Sequence, residues 1–166
     1  MVVPLFSLLP GRAIRAGSFG LIQQFGVGID NIDLHAAADE GVWVANMPGL
    51  NAVPVAEHAV ALLLALARRL PEASKGFEPG RWGQPAGRSL AGTAACINTG
   101  HLAGLGLDVF PAEPYPADGP LVTHPSVVAT AHTAALTSDY FAAASGRLGD
   151  ALAGYLNHQP PAGLLR

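Results

Sequence analysis

LIQQFGVGIDNIDLHAAADEGVWVA, residues 21–45, decides how this chain is read. Leu21 to Phe25 reads as a short buried strand that runs into Gly26-Val27-Gly28. Glycines at that spacing mark a tight loop, where backbone turns or something approaches it closely. Asp33 then serves as a helix N-cap, with a short helix to Glu40 and a stop at Gly41. Val42 to Ala45 follows as a second strand. Strand, loop, helix and strand in that order form the grammar of a parallel α/β unit. Successive N–H groups in the glycine loop can cradle an anion, and a plain tight turn explains the same residues.

Upstream, residues 1 to 18 show no clear period. Downstream, Asn51 can cap a helix whose first turn tolerates Pro54 and which runs to about Arg69. Arg68 and Arg69 suit its negative end, and Pro71 lies beyond. From Ala59 to Ala67 this helix is apolar on every face, so it must be buried all round, under a second subunit or a second domain. Residues 71–93, rich in Gly, Pro and polar side chains, read as a linker. Leu105 to Phe110 and Val127 to Thr130 are strand candidates. Between them, residues 111–125 hold five prolines and read as loop. Thr137 or Ser138 caps a last helix reaching about Asn157. Gly146, Gly149 and Gly154 each weaken it by roughly 1 kcal/mol relative to alanine.

Composition narrows the function classes. Half of the 166 residues are apolar and 13% are charged, which suits a globular core. A net charge of −3 with no basic block gives nucleic-acid binding little support. The single cysteine, Cys96, cannot form an internal disulfide, so a reducing, cytoplasmic setting is expected. Met1 to Pro10 lacks the basic start of a signal peptide, and Ala59 to Ala67 is too short to span a bilayer, so a soluble protein with no membrane partner is expected.

The polar inventory is thin. Histidines stand at 35, 58, 101, 124, 132 and 158, with no zinc spacing among them, so no metal site is expected. Glu57-His58 reads as a capped helix start rather than a catalytic pair. Glu113 and His132 each lie in a loop immediately after a predicted strand, and ligands sit at the carboxyl ends of parallel strands. A carboxylate beside an imidazole favours its charged form and makes a usable general acid. Two unrelated loop residues remain the alternative at this point. No Gly-x-Gly-x-x-Gly fingerprint or Walker loop occurs; after Gly26 and Gly28 the pattern would need glycine at Asn31, and Gly100 to Gly106 has the wrong spacing.

Three blocks together resemble the D-isomer-specific 2-hydroxyacid dehydrogenase family, which includes phosphoglycerate, glycerate and lactate dehydrogenases. They are LIQQFGVGIDNIDLHAAADEGVWVANMPGLNAVPVAEHAVALLLALARRL (21–70), GHLAGLGLDVFPAEP (100–114) and PLVTHPSVVATAHTAALTSD (120–139), in the family's order. The resemblance implies two α/β lobes separated by a cleft: a flavodoxin-like substrate domain built from both chain ends, and an inserted Rossmann domain that binds NAD. It implies oxidoreduction of a small 2-hydroxy or 2-keto acid. By resemblance, Phe25, Gly26, Val27 and Gly28 hold the substrate carboxylate, His132 and Glu113 are two of the catalytic trio, and Asp108 bonds the nicotinamide amide. Helix 52–69 resembles the inter-domain helix beside the family's dimer interface, which implies a homo-oligomer or pairing through it.

The chain departs from the family in three places. The glycine fingerprint expected after RSLAGT (88–93) is replaced by AACINTGHLAG. INT (97–99) begins the arginine-bearing motif, but Gly100 and His101 follow it and the third catalytic residue, arginine, is missing. Around the histidine, Ala131, Thr133, Ala134 and Ala135 replace the usual proline and glycines. The start is also short of the family's first strands and helices. The expected fold is therefore α/β, a truncated two-lobe arrangement of small parallel sheets. Residues 1–92 and 136–166 would form the substrate-side lobe, and 93–135 a stub of the Rossmann domain. The expected function is the family's NAD(P)-dependent oxidoreduction, impaired or lost. The alternatives are a non-catalytic carboxylate-binding or dimerisation module and a degenerate gene product.

Overall fold

Leu21, Ile22 and Gln23 are all buried and form β1 (Leu21–Gln23), parallel to β2 (Trp43–Ala45) with Leu21 opposite Trp43 and Gln23 opposite Ala45. The structure is a computed structural model and describes residues 1–5, 7–77, 82–88 and 104–165. Between the two strands lies α2 (Leu34–Asp39). The Asp33 carboxylate accepts from the Ala36 amide at 3.0 Å, the N-cap expected from sequence. Gly41, at φ +65, takes the left-handed turn that ends it. Ile22 and Val44 pack with Ile14, Ile32, Ala36 and Ala37 into one core.

Ile14 comes from α1 (Gly11–Ala16), a helix the sequence did not announce. Pro10 precedes it without a side-chain cap, and six residues are too few to be helical alone. Its packing on α2 and the burial of Ile14 hold it instead.

The chain forms two compact units, residues 1–53 with 136–166, and residues 54–135. In the first, α6 (Ser138–Leu156) starts at Thr137, whose hydroxyl accepts from the Tyr140 amide at 3.1 Å. Tyr140 and Ala144 on this helix form a second core cluster with Met47. In the second, β3 (Leu105–Leu107) pairs in parallel with β4 (Val127–Ala129).

Helix α3 (Ala52–Ala67) matches its predicted start and ends two residues early. Arg69 adopts a left-handed conformation (φ 53), and a new helix α4 (Leu70–Ser74) begins, followed by a 3-10 turn over Lys75–Phe77. Residues 70–77 are therefore helical rather than linker. Pro71 sits in the first turn of α4, where its missing N–H costs nothing. For the same reason Pro120 opens a short α5 (Pro120–Thr123) inside the stretch expected to be loop throughout. All four expected strands are present but short: β1 stops at Gln23, β2 starts at Trp43, β3 stops at Leu107 and β4 at Ala129.

The single chain leaves α3 without the all-round cover that its apolar sequence calls for. No residue of it is buried within the chain. Leu62 and Leu66 lie against the strand side, and a Cβ at Gly106 or Gly104 would come within 3.1 Å of them, so those glycines permit the close approach. Val60 (53% exposed), Leu63 and Leu64 remain open. The 3.6-residue period cannot reveal this, because a helix apolar on all sides has no preferred face in sequence.

Candidate functional site

In the second unit, Asp108 follows β3 and Thr130 follows β4, so both stand at the carboxyl ends of parallel strands. The Thr130 amide donates to the Leu107 carbonyl at 2.9 Å, and the His132 amide to the Asp108 carbonyl at 2.7 Å. The Asp108 carboxylate closes the loop. Its Oδ1 accepts from the Thr130 hydroxyl at 2.6 Å and the Thr133 amide at 2.8 Å, and its Oδ2 from the Ala134 amide at 2.9 Å. Burial pushes its pKa up, but the Thr130 hydroxyl, the two amides and the nearby His58 outweigh this and hold it below the usual aspartate value. Asp108, matched by resemblance to a nicotinamide contact, is thus engaged by the loop that carries His132.

His132 itself has φ +53, a left-handed backbone that a non-glycine residue adopts at some cost. The three bonds to Asp108 and the backbone bond beneath them over-determine that conformation. The ring Nδ1 lies 2.7 Å from Glu113 Oε2, while Glu113 Oε1 accepts from the Phe110 amide at 2.9 Å. The His132 bond first, and then the Phe110 amide, lower the Glu113 pKa against the opposing effects of burial and Asp108. The side chains of His132 and Glu113 are 45% and 31% exposed. The structure thus brings together the two residues for which spacing alone left a pair and two unrelated loop positions both open. If Nδ1 carries the proton shared with Glu113, proton exchange with a substrate falls to Nε2.

His58 belongs to this cluster, though its sequence reading was a plain helix start. Its Nε2 lies 2.8 Å from the Thr130 hydroxyl and 3.6 Å from Asp108 Oδ1. Since Thr130 gives its only hydroxyl proton to Asp108, it accepts from His58, which sets the proton on Nε2. The signal available in sequence was spacing: His58, Leu62 and Leu66 stand four residues apart and share one helix face.

In the first unit, the Phe25–Gly28 loop follows β1. Three consecutive carbonyls are captured: Phe25 by the Tyr140 hydroxyl at 2.7 Å, Gly26 by the Met47 amide at 2.8 Å, and Val27 by Asn46 Nδ2 at 2.9 Å. In a trans peptide the C=O and the next N–H point opposite ways. The amides of Gly26, Val27 and Gly28 are accordingly turned outward, and none of them has an acceptor among the described residues. Neither glycine has a positive φ, and a Cβ at either would meet nothing of the chain closer than 3.9 Å. The chain's own packing therefore does not demand glycine at 26 or 28. Open space beside both leaves room for a group from outside to approach the backbone. Tyr140 and Asn46 were not singled out by sequence; 115 residues separate Tyr140 from Phe25.

Residues 97–101, where the arginine motif would stand, lie outside the described residues, as do residues 89–93 of RSLAGT. Among the described residues, no group of three His, Cys, Asp or Glu side chains could hold a metal ion, and no helix is long and apolar enough to cross a membrane.

Comparison with known proteins identifies the chain's family. The profile of the D-isomer specific 2-hydroxyacid dehydrogenase catalytic domain matches residues 14–164. A D-3-phosphoglycerate dehydrogenase from Archaeoglobus fulgidus is 46% identical over 67 residues, 40% of this chain and 13% of that protein. The chloroplastic D-3-phosphoglycerate dehydrogenase 3 of Arabidopsis thaliana is 39% identical over 123 residues, 65% of this chain and 21% of that protein. The chain thus spans about a fifth or less of these two relatives. An NADPH-dependent glyoxylate/hydroxypyruvate reductase from Sinorhizobium meliloti, solved with NADP and malonate, has a similar fold, with a TM-score of 0.80 at 19% identity over 98% of this chain and 82% of that one. With nearly the whole chain under one profile, and a parallel-strand pair that carries the Glu113–His132 contact, the chain belongs to the D-isomer specific 2-hydroxyacid dehydrogenase family.

Proposed function

We propose that this chain supplies the substrate-side chemistry of a 2-hydroxyacid oxidoreductase, namely carboxylate binding and proton exchange at the 2-oxygen, with hydride transfer impaired or lost. The observation that carries the reading is the 2.7 Å bond between His132 and Glu113 at the ends of two parallel strands. Glu113 orients the imidazole through Nδ1, and His132 gives a proton to the 2-oxygen of a keto acid, or takes one from a hydroxy acid. Gly26, Val27 and Gly28 offer their amides to the substrate carboxylate.

The family indicates a nicotinamide dinucleotide as cofactor. The described residues do not fit one. Asp108 already accepts from three donors of its own unit, and its side chain is 13% exposed. The sequence offers no glycine turn to a pyrophosphate and no arginine in the expected motif. Loss of one such electrostatic donor costs on the order of 3 kcal/mol in a transition state. By family organisation we place residues 1–92 and 136–166 in the substrate-side lobe and 93–135 in the remnant of the nucleotide domain, although by contacts residues 54–92 belong to the same compact unit as 93–135.

Calorimetric titration with NADH, with assays on pyruvate, glyoxylate, hydroxypyruvate and phenylpyruvate, tests this reading. No NADH binding up to millimolar concentration and no turnover are expected. Micromolar binding with turnover abolished by His132→Ala would overturn the loss of hydride transfer.

A second reading is favoured by the open apolar side of α3, where Val60, Leu63 and Leu64 are exposed. On it the chain is a non-catalytic module that pairs through helix 52–69 with a second copy. Sedimentation equilibrium checks it: a monomer at all concentrations rejects it, and a dimer dissociated by Leu63→Lys supports it.

A further inference from the structure

The three outward amides of the Phe25–Gly28 loop depend on what holds the carbonyls of the same peptides. One of them, the Gly26 carbonyl, is held by backbone, through the Met47 amide. The other two are held by side chains, Tyr140 on the Phe25 carbonyl and Asn46 on the Val27 carbonyl. Those two peptides are the ones that end in glycine, Phe25–Gly26 and Val27–Gly28. Flipping a peptide plane changes ψ of the residue before it and φ of the residue after it. Glycine accepts the new φ, positive values included, at little steric cost. A flipped plane would present a carbonyl oxygen where an N–H now points, and so repel an anion instead of binding it. The flexible peptides are thus the ones clamped by side chains.

We infer that Tyr140 and Asn46 are positioning residues that hold the Phe25–Gly26 and Val27–Gly28 peptides in the orientation that receives a substrate carboxylate. The inference rests on the proposed carboxylate role of the loop. Tyr140 is built for the task. The residue is 4% exposed and its ring meets Phe25 edge-on, with centroids 5.7 Å apart and planes at 86°, so its hydroxyl has a fixed approach to the Phe25 carbonyl. Burial also raises the pKa of the phenol, which keeps it a donor. Asn46 reaches the loop from the end of β2, one residue beyond Ala45. Neither side chain need touch the substrate.

The test is a titration of the ¹⁵N-labelled full chain with malonate, a small dicarboxylate with no reactive carbonyl, read at the amide resonances of Gly26, Val27 and Gly28. In the wild type all three shift with one dissociation constant. Tyr140→Phe keeps the ring and removes the hydroxyl, and Asn46→Ala removes the second donor. Each is expected to weaken malonate about three- to tenfold, the factor that one neutral hydrogen bond is worth. Ile14→Val trims the core of the same unit away from the loop; it should lower the melting temperature and leave the dissociation constant unchanged. A wild type whose three amides do not respond would remove the carboxylate reading and the inference with it. A responding wild type with both variants binding equally well would overturn the inference alone. Should Tyr140→Phe fail to fold, Asn46→Ala decides, because its bond to Val27 lies at the surface.

Discussion

Asparagine at position 108 would remove one charge and one acceptor oxygen from the side chain that closes the 130–134 loop. The carboxylate now takes the Thr130 hydroxyl at 2.6 Å, the Thr133 amide at 2.8 Å and the Ala134 amide at 2.9 Å. The asparagine oxygen can serve one side of that set, and its NH₂ then faces a donor on the other. A hydrogen bond to a charged group is worth about 1.5–3 kcal/mol, and a buried donor left unpaired costs about 1–3 kcal/mol. Solvent reaching the loop offsets part of this, so Asp108→Asn is expected to destabilise the second unit by about 2 kcal/mol at neutral pH.

The effect has a definite pH dependence. The Asp108 carboxyl is held below its unfolded value of 3.8, so its stabilisation is complete above that value and is lost as pH falls through the folded one. The gap between wild type and variant should stay constant from neutral pH down to the region of 3.8 and close below it. Urea unfolding followed by circular dichroism measures the gap. Hydrogen exchange at the His132 amide locates it. That amide bonds the Asp108 backbone carbonyl, which the substitution leaves in place. Its protection should fall about 30-fold, the equivalent of about 2 kcal/mol. Unchanged protection at His132 would show that the carboxylate does not hold the loop and that the left-handed histidine is supported by something else.

Glu113→Gln is expected to cost less, about 0.5–1 kcal/mol, because both partners are substantially exposed and the pair is screened. Its sign matches that of Asp108: the contribution is full above the ordinary glutamate value of 4.5 and vanishes as pH falls through the lowered folded value, which paired urea titrations at neutral and acid pH will show. Thr137→Ala removes the N-cap of α6 and should lower stability by about 1 kcal/mol in thermal melts of the first unit. Gly146→Ala on the same helix should do the reverse, raising stability by about 1 kcal/mol, since an added Cβ there meets nothing within 4 Å.

What the sequence determined by itself was whatever is encoded within a few residues. Asp33 and Thr137 cap their helices because an N-cap is a contact between neighbours three residues apart. The 21–45 stretch forms a parallel pair with its crossover helix for the same local reasons, and the three family blocks place Glu113, His132 and the Phe25–Gly28 loop at strand ends. Tertiary structure decided what those residues meet. Helix α1 exists because Ile14 is buried in a core drawn from four other segments, and nothing in GRAIRA signals it. Glu113 and His132 become a pair only when the return through α5 and β4 brings a position 19 residues away back beside β3. His58 reaches Thr130 across 72 residues, and Tyr140 reaches Phe25 across 115. Such contacts depend on which strand ends lie side by side, and chain separation carries no record of that. Turn chemistry and capping are readable from sequence because their energy is local, whereas the orientation of a peptide plane that receives a carboxylate is set by side chains the chain delivers from far away.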